Sequence, residues 1–393
     1  MPPIHSRRTL AWLGLSAALM MGCATAPSDP RLQALKAQSE KLQALRYVPM
    51  QASASVTADE RWSWSAEEQV DARWNLPAGH HAAPLILYIP GLGQDRDAGQ
   101  AWAQAWAEAG YAVLTLPLRQ EDVTAWQGDA AREGRFDDVY RQALGDGAMQ
   151  ARQARLQLAL ARLLQRQKAQ LASDPASRID LTRWGLAGND LGGLAAIQLL
   201  GGRVELPSRP AAALWIDPAW PEALCLAAPR LPMLDIRRFQ GQASPAPWTD
   251  GSACHARWPA AGLTLLGMDL DALHGRLSAL QEPAGPEAHH TARPSGPSGR
   301  GRRGDGAGMP SGRSGGKGDG LEAQSSHPAT AETAALGQAP RRPPGFQRQD
   351  QALVIRSETQ AFWDMHLRQS TTARTWWQGS ASRWPTGLVR IDP

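Results

Sequence analysis

Trp184-Gly185-Leu186-Ala187-Gly188-Asn189-Asp190-Leu191-Gly192-Gly193-Leu194-Ala195-Ala196 is the stretch that decides the fold. A short apolar strand enters a run of small residues and leaves it as a small-residue helix. Gly188 and Gly192 bracket the reversal, because a strand turns this sharply into a helix only where bulky side chains are missing. Asp190 stands between them, where the helix begins and negative charge is favoured.

The pattern repeats on both sides. Pro84-Leu85-Ile86-Leu87-Tyr88-Ile89 is a continuous apolar run, as a buried parallel strand requires, and Pro90-Gly91-Leu92-Gly93 stops it. A helix is expected from about Ala98 to Ala109, then a strand over Tyr111–Pro117, which makes a βαβ unit. A polar loop leads to a long helix over Asp146–Lys168. Further strands are expected at Ala211–Pro218, which carries Asp217, at Leu231–Asp235 and at Leu263–Gly267. Upstream, the Ser53–Leu76 region reads as strand, with Trp62 and Trp64 on one face, and Val70–Pro77 as another. Strands alternating with helices predict an α/β fold with a doubly wound, mostly parallel sheet.

The N-terminus has its own signature. Arg7 and Arg8 precede an apolar run from Leu10 to Met21, and Met20-Met21-Gly22-Cys23 ends it. This resembles a bacterial lipoprotein signal over residues 1–23, with Cys23 as the lipidated first residue. Ser6-Arg7-Arg8-Thr9-Leu10 is also similar to a twin-arginine export signal. A transmembrane anchor is the alternative, but the apolar run is short for a span. Ala24 after the Cys implies outer-membrane sorting, facing the periplasm. Residues 24–47 read as a tether and one amphipathic helix, with Leu32, Leu35, Leu42 and Leu45 at helical spacing.

The formal charge of +4 falls to +2 once Arg7 and Arg8 leave with the signal, too small an excess to argue for nucleic acid. The 16 Trp against 4 Phe and 4 Tyr have no functional account at this stage. Cys225 and Cys254 form one disulfide in an oxidising compartment or remain two buried thiols; both readings stand. His80-His81 and His289-His290 have no third ligand at metal spacing, so no metal and no cofactor are expected.

Three stretches together resemble bacterial relatives of platelet-activating-factor acetylhydrolase and dienelactone-hydrolase-like esterases, of the α/β-hydrolase superfamily. They are Ile89-Pro90-Gly91-Leu92-Gly93, Gly185–Gly193, and Thr359-Gln360-Ala361-Phe362-Trp363-Asp364-Met365-His366-Leu367. The resemblance implies a hydrolase domain over 48–282, completed by a C-terminal helix within 351–393. It implies a Ser-His-Asp triad, in which the Ser attacks, the His takes its proton and the Asp orients the His. The frame G-x-S-x-G here reads Gly188-Asn189-Asp190-Leu191-Gly192, with Asp190 at the nucleophile position. Ile216-Asp217-Pro218-Ala219-Trp220 matches the motif of the acid, so Asp217 is kept, with Asp235 as runner-up. The amides of Leu92 and Leu191 are the implied oxyanion donors. In Gly267-Met268-Asp269-Leu270-Asp271-Ala272-Leu273-His274, Leu270 stands where the His belongs, and His274 lies four residues further on.

Two readings follow. In the preferred one the triad has lapsed, Asp190 is a carboxylate stabilised by the helix N-terminus, and the protein binds a small acyl ester or lipid-like ligand. In the other, Asp190 is a nucleophile and His274 activates water on the ester formed.

Residues 283–350 contrast with all this: Gly, Pro, Ser, Arg and Ala without period, which cannot bury enough apolar surface to order themselves. Pro283–Gly345 carries eight basic and five acidic residues. A neutral insertion is preferred over a tether to peptidoglycan or a partner, the role of a structural lipoprotein. A reading-frame error in GC-rich DNA is the third option. A peptide from this segment, found by mass spectrometry of the purified protein, is the expected result and eliminates the frame error.

Overall fold

The computed structural model describes residues 29–79, 82–201, 206–217, 231–238, 261–265, 344–385 and 389–392. The expected signal with Cys23, the cysteines 225 and 254, Leu270, His274 and most of the 283–350 segment lie outside the described residues.

Nine strands form one sheet: β1 (Ser55–Ser63), β2 (Gln69–Pro77), β3 (Ala83–Ile89), β4 (Ala112–Thr115), β5 (Ile179–Asn189), β6 (Ala212–Ile216), β7 (Met233–Arg238), β8 (Ala261–Leu265) and β9 (Val389–Asp392). Their spatial order is β1-β2-β4-β3-β5-β6-β7-β8-β9. The run from β4 to β8 is parallel, while the β1–β2, β2–β4 and β8–β9 pairs are antiparallel. The fold is therefore α/β with a mostly parallel sheet.

The helices are α1 (Pro30–Leu45), α2 (Gln100–Glu108), α3 (Gln120–Val123), α4 (Asp129–Arg132), α5 (Phe136–Leu144), α6 (Asp146–Ala169), α7 (Asp190–Gly201), α8 (Pro344–Leu367), α9 (Thr371–Gln378) and α10 (Ser380–Arg383). Local chemistry sets several ends. Asp29 caps α1 by accepting from the Arg31 N–H at 2.9 Å, with Pro30 opening the helix, and Ser370 caps α9 through the Ala373 N–H.

Every residue of β3 is buried, because helices cover both faces of the sheet. The pleat then sorts its side chains. Leu85, Leu87 and Ile89 join Leu156, Leu160 and Leu163 of α6 and Leu194 and Ile197 of α7 on one face. Ile86 and Tyr88 join Trp102 and Trp106 of α2 and Phe362 and Trp363 of α8 on the other. The tryptophan excess is largely packing: Trp74, Trp106, Trp184, Trp215 and Trp363 are among the largest fully buried side chains.

Several expectations need correction. The polar loop before α6 contains α3, α4 and α5, each too short for its apolar period to stand out. Helix α8 starts at Pro344, inside the segment assigned to the insertion, because a proline is well suited to the first turn of a helix. Trp64 lies beyond the end of β1, although its ring still meets that of Trp62 at 5.8 Å. Asp235 is the third residue of β7 rather than a strand end, and it pairs with Arg237 at 2.6 Å. Four residues of β9 close the sheet edge beside β8, a pairing no local pattern announces.

One buried carboxylate ties the ends of the chain to this core. Asp364 of α8 is fully buried and accepts from the Tyr47 hydroxyl at 2.7 Å, from Arg368 at 2.6 Å and from the Tyr111 hydroxyl. Burial first, then the carboxylate, pushes both phenol pKa values up, so both remain donors. Asp364→Ala leaves Arg368 facing an emptied site, so a loss of about 3–5 kcal/mol is expected. A urea melt reads this directly; a change under about 1 kcal/mol would show a solvated cluster instead.

Candidate functional site

The site arises where neighbouring strands send their connections in opposite directions. From β3 the chain passes through α2 to β4 on one side, and from β5 through α7 to β6 on the other. The loops leaving the carboxyl ends of β3 and β5 therefore part and open a crevice, the usual ligand position in such sheets. Leu92 lies on the first loop and Asp190 on the second.

Glycine is required on both sides of the turn. A Cβ on Gly188 would lie 2.7 Å from the Gly193 backbone, and one on Gly192 would lie 2.3 Å from the Pro90 carbonyl oxygen. Asp190 itself has φ 47°, a left-handed conformation costly for a residue with a Cβ. Asp217, directly after β6, has φ 44°, and its N–H donates to the Ile236 carbonyl at 2.8 Å. Two strained carboxylate residues thus stand at adjacent strand ends.

One expected oxyanion donor is already in use, and the other is turned to the same group. The Leu92 N–H donates to Oδ2 of Asp190 at 3.0 Å, and the Leu191 N–H, next along the chain, favours the same charge. Loss of solvation pushes the Asp190 carboxyl up from 3.8 to about 6. The two N–H groups pull it back, the charge of Asp217 raises it, and that of Arg152 lowers it. Asp190, Asp217, Leu92 and Leu191 are therefore brought into one site.

The loop that carries Leu92 is braced at each residue. Gln94 Oε1 accepts from the Gly91 N–H at 2.8 Å and from Asn189 Nδ2 at 3.0 Å, linking the two loops. The Gly93 N–H donates to the Asp122 carbonyl at 2.7 Å, and Trp126 Nε1 donates to the Leu92 carbonyl at 3.2 Å. Asp122 is in turn held by buried Arg152 through two bonds of 2.7 and 2.8 Å. Sequence reading missed Gln94, Asp122, Trp126 and Arg152. Arg152 looks like any other cation of the Gln- and Arg-rich α6, and nothing local marks the others.

His366 is the sole histidine among the described residues; it is on α8, packed on Phe362 with ring centres 4.7 Å apart, and burial pushes it down to about 4. The cavity beside the elbow, lined by residues including Leu92, Gln94, Arg152 and Leu191, is about 10 Å³, room for roughly one water. Among the described residues no group of three potential metal ligands occurs, and no helix is long and apolar enough to cross a membrane. The chain matches no protein-family model and no curated protein.

Chemically, an acyl oxygen cannot enter this hole while the Asp190 carboxylate fills it. The same arrangement would serve a carboxylate nucleophile, whose retained oxygen becomes the oxyanion when water attacks the ester.

The raised pKa sets a sign for stability. Folding favours protonated Asp190, so its contribution is fully present below about pH 4 and is lost as pH rises through about 6. Asp190→Asn is expected to be more stable than wild type at pH 8, on the order of 1–3 kcal/mol, with the gap closing below pH 4. Urea denaturation across pH 4–8 measures it, and a gap that does not change with pH refutes the assignment.

Proposed function

We propose that this chain is an α/β-hydrolase-fold protein of the bacterial envelope, anchored by lipid on Cys23, with a silenced esterase site and a retained role in binding an acyl or lipid-like ligand. The fold reading is supported by the strand-to-helix turn after β5, the Leu92 loop after β3 and the Asp217 turn after β6, in the chain order nucleophile then acid. The observation that carries the silencing is the Asp190 carboxylate accepting from the Leu92 N–H at 3.0 Å, with the Leu191 N–H beside it favouring the same charge. In a serine esterase these two donors receive the substrate oxyanion, worth about 10²–10³ in rate for each donor. Here they hold the protein's own charge.

A second reading rests on the same bonds. Asp190 attacks carbon through its other oxygen: a haloalkane gives an alkyl ester as the carbon–halogen bond breaks and halide leaves, an epoxide gives one as its ring C–O bond opens, and an acyl ester gives a mixed anhydride as the alcohol leaves. Water activated by His274 then cleaves the intermediate and restores the carboxylate. No nucleic acid enters either reading.

Wild-type protein is expected to leave short p-nitrophenyl esters at the buffer rate. Hydrolysis that Asp190→Ala abolishes would overturn the silenced site. The nucleophile reading is scored separately, by replacing His274 with Ala and searching the Asp190 peptide for an added alkyl mass after exposure to haloalkanes and epoxides, or an added acyl mass after exposure to esters. An adduct on Asp190 establishes it; its absence across the panel leaves the silenced site standing.

A further inference from the structure

On the face of the sheet opposite α7, the chain lines a much larger, half-open space. Helix α1, the segment that follows it, α2 and α8 line a cavity of about 560 Å³, within the usual range for small-molecule pockets. Its lining is mixed, polar side chains such as Gln43, Ser53 and Gln360 standing among a somewhat larger apolar share. Ala101, Trp102 and Ala105 come from α2, Ala352 and Leu353 from α8, and Tyr47 from the segment after α1.

Two observations say what fits. The first is charge. Arg46, Glu108 and Arg356 line the cavity, and Arg356 takes up Glu108 at 2.8 Å. Arg46 is exposed and has no ion-pair partner among the described residues, so the lining carries one uncompensated positive charge at its edge. The second is packing. Of the 16 residues of α1 only Leu42 is buried, while Leu45 and, just beyond the helix, Val48 remain 38% and 66% exposed. A helix so thinly packed lacks apolar partners, and apolar material in the cavity supplies them.

We propose that this cavity binds a single-chain anionic amphiphile, its alkyl chain along the alanine floor of α2 and α8 and its anionic head on Arg46. This gives a place to the binding role proposed above and rests on that role, but it uses none of the groups at Asp190.

Calorimetric titration of the full-length protein with sodium decanoate, and separately with decanol, tests it. Saturable binding of one decanoate per chain is expected. Ala352→Trp fills the cavity and should weaken binding at least tenfold, the effect of losing about 1.4 kcal/mol of contact. Ala101→Trp fills the same space from α2 and replaces it if circular dichroism shows that the first variant fails to fold. Arg46→Ala should weaken decanoate about fivefold, the size of an exposed ion pair, and leave decanol unchanged. The proposal falls if decanoate does not saturate, if a folded filling variant binds as wild type does, or if Arg46→Ala affects neither or both ligands alike. None of these outcomes bears on the silenced elbow, which is scored by hydrolysis.

Discussion

The carboxylate of Asp190 and the two backbone N–H groups that hold it are the interaction around which the centre of this protein is arranged. A half-buried carboxylate hemmed in by protein loses much of its hydration, and donors and positive potential must compensate it. Leu92 supplies one donor from the β3 loop and Leu191 another from the first turn of α7, where the helix dipole adds to the effect. Compensation remains incomplete, which is why the group titrates near 6. The left-handed backbone at Asp190 persists because close contacts at Gly188 and Gly192 leave the turn no other path.

This local arrangement depends on the sheet. Leu92 meets Asp190 because β3 and β5 are neighbours whose connections diverge to opposite faces. The α3–α5 excursion then rests Trp126 on the Leu92 carbonyl and, with Arg152 of α6, fixes Asp122 under Gly93. A loop held at every residue is a preorganised one, whether it serves a substrate or, as here, a side chain of the protein itself. The other face has a different organisation. Asp364 gathers Tyr47, Tyr111 and Arg368 and so fixes α8 and the segment after α1, and beside them lies the cavity of about 560 Å³. The elbow thus lies at the carboxyl edge of the sheet, and the larger cavity lies on the face that α2 and α8 cover.

The elements that sequence revealed are those whose apolar pattern is unbroken. β3 and β6 are continuous hydrophobic runs, α6 is long, and the turn at Asp190 is framed by glycines with no conformational alternative. The α3–α5 segment escaped because helices of four to nine residues carry too few turns to show a period. Gln94, Arg152 and the Asp364 cluster escaped for another reason: their partners lie as far as 317 residues away in the chain, and no local pattern encodes such a pairing. Asp235 misled because its neighbours read as a strand ending early, whereas pairing with β8 carries β7 on to Arg238.

The sequence by itself determined the class of fold, the position of the sharp turn and the identity of the carboxylate placed on it. Periodicity and glycine stereochemistry are local properties, and they survive without knowledge of the rest of the chain. What became of that carboxylate was decided only in three dimensions. Whether Asp190 points out of the turn or back onto the Leu92 N–H depends on where the β3 loop lies relative to α7. That is a long-range relation between residues 92 and 190, set by strand order and packing.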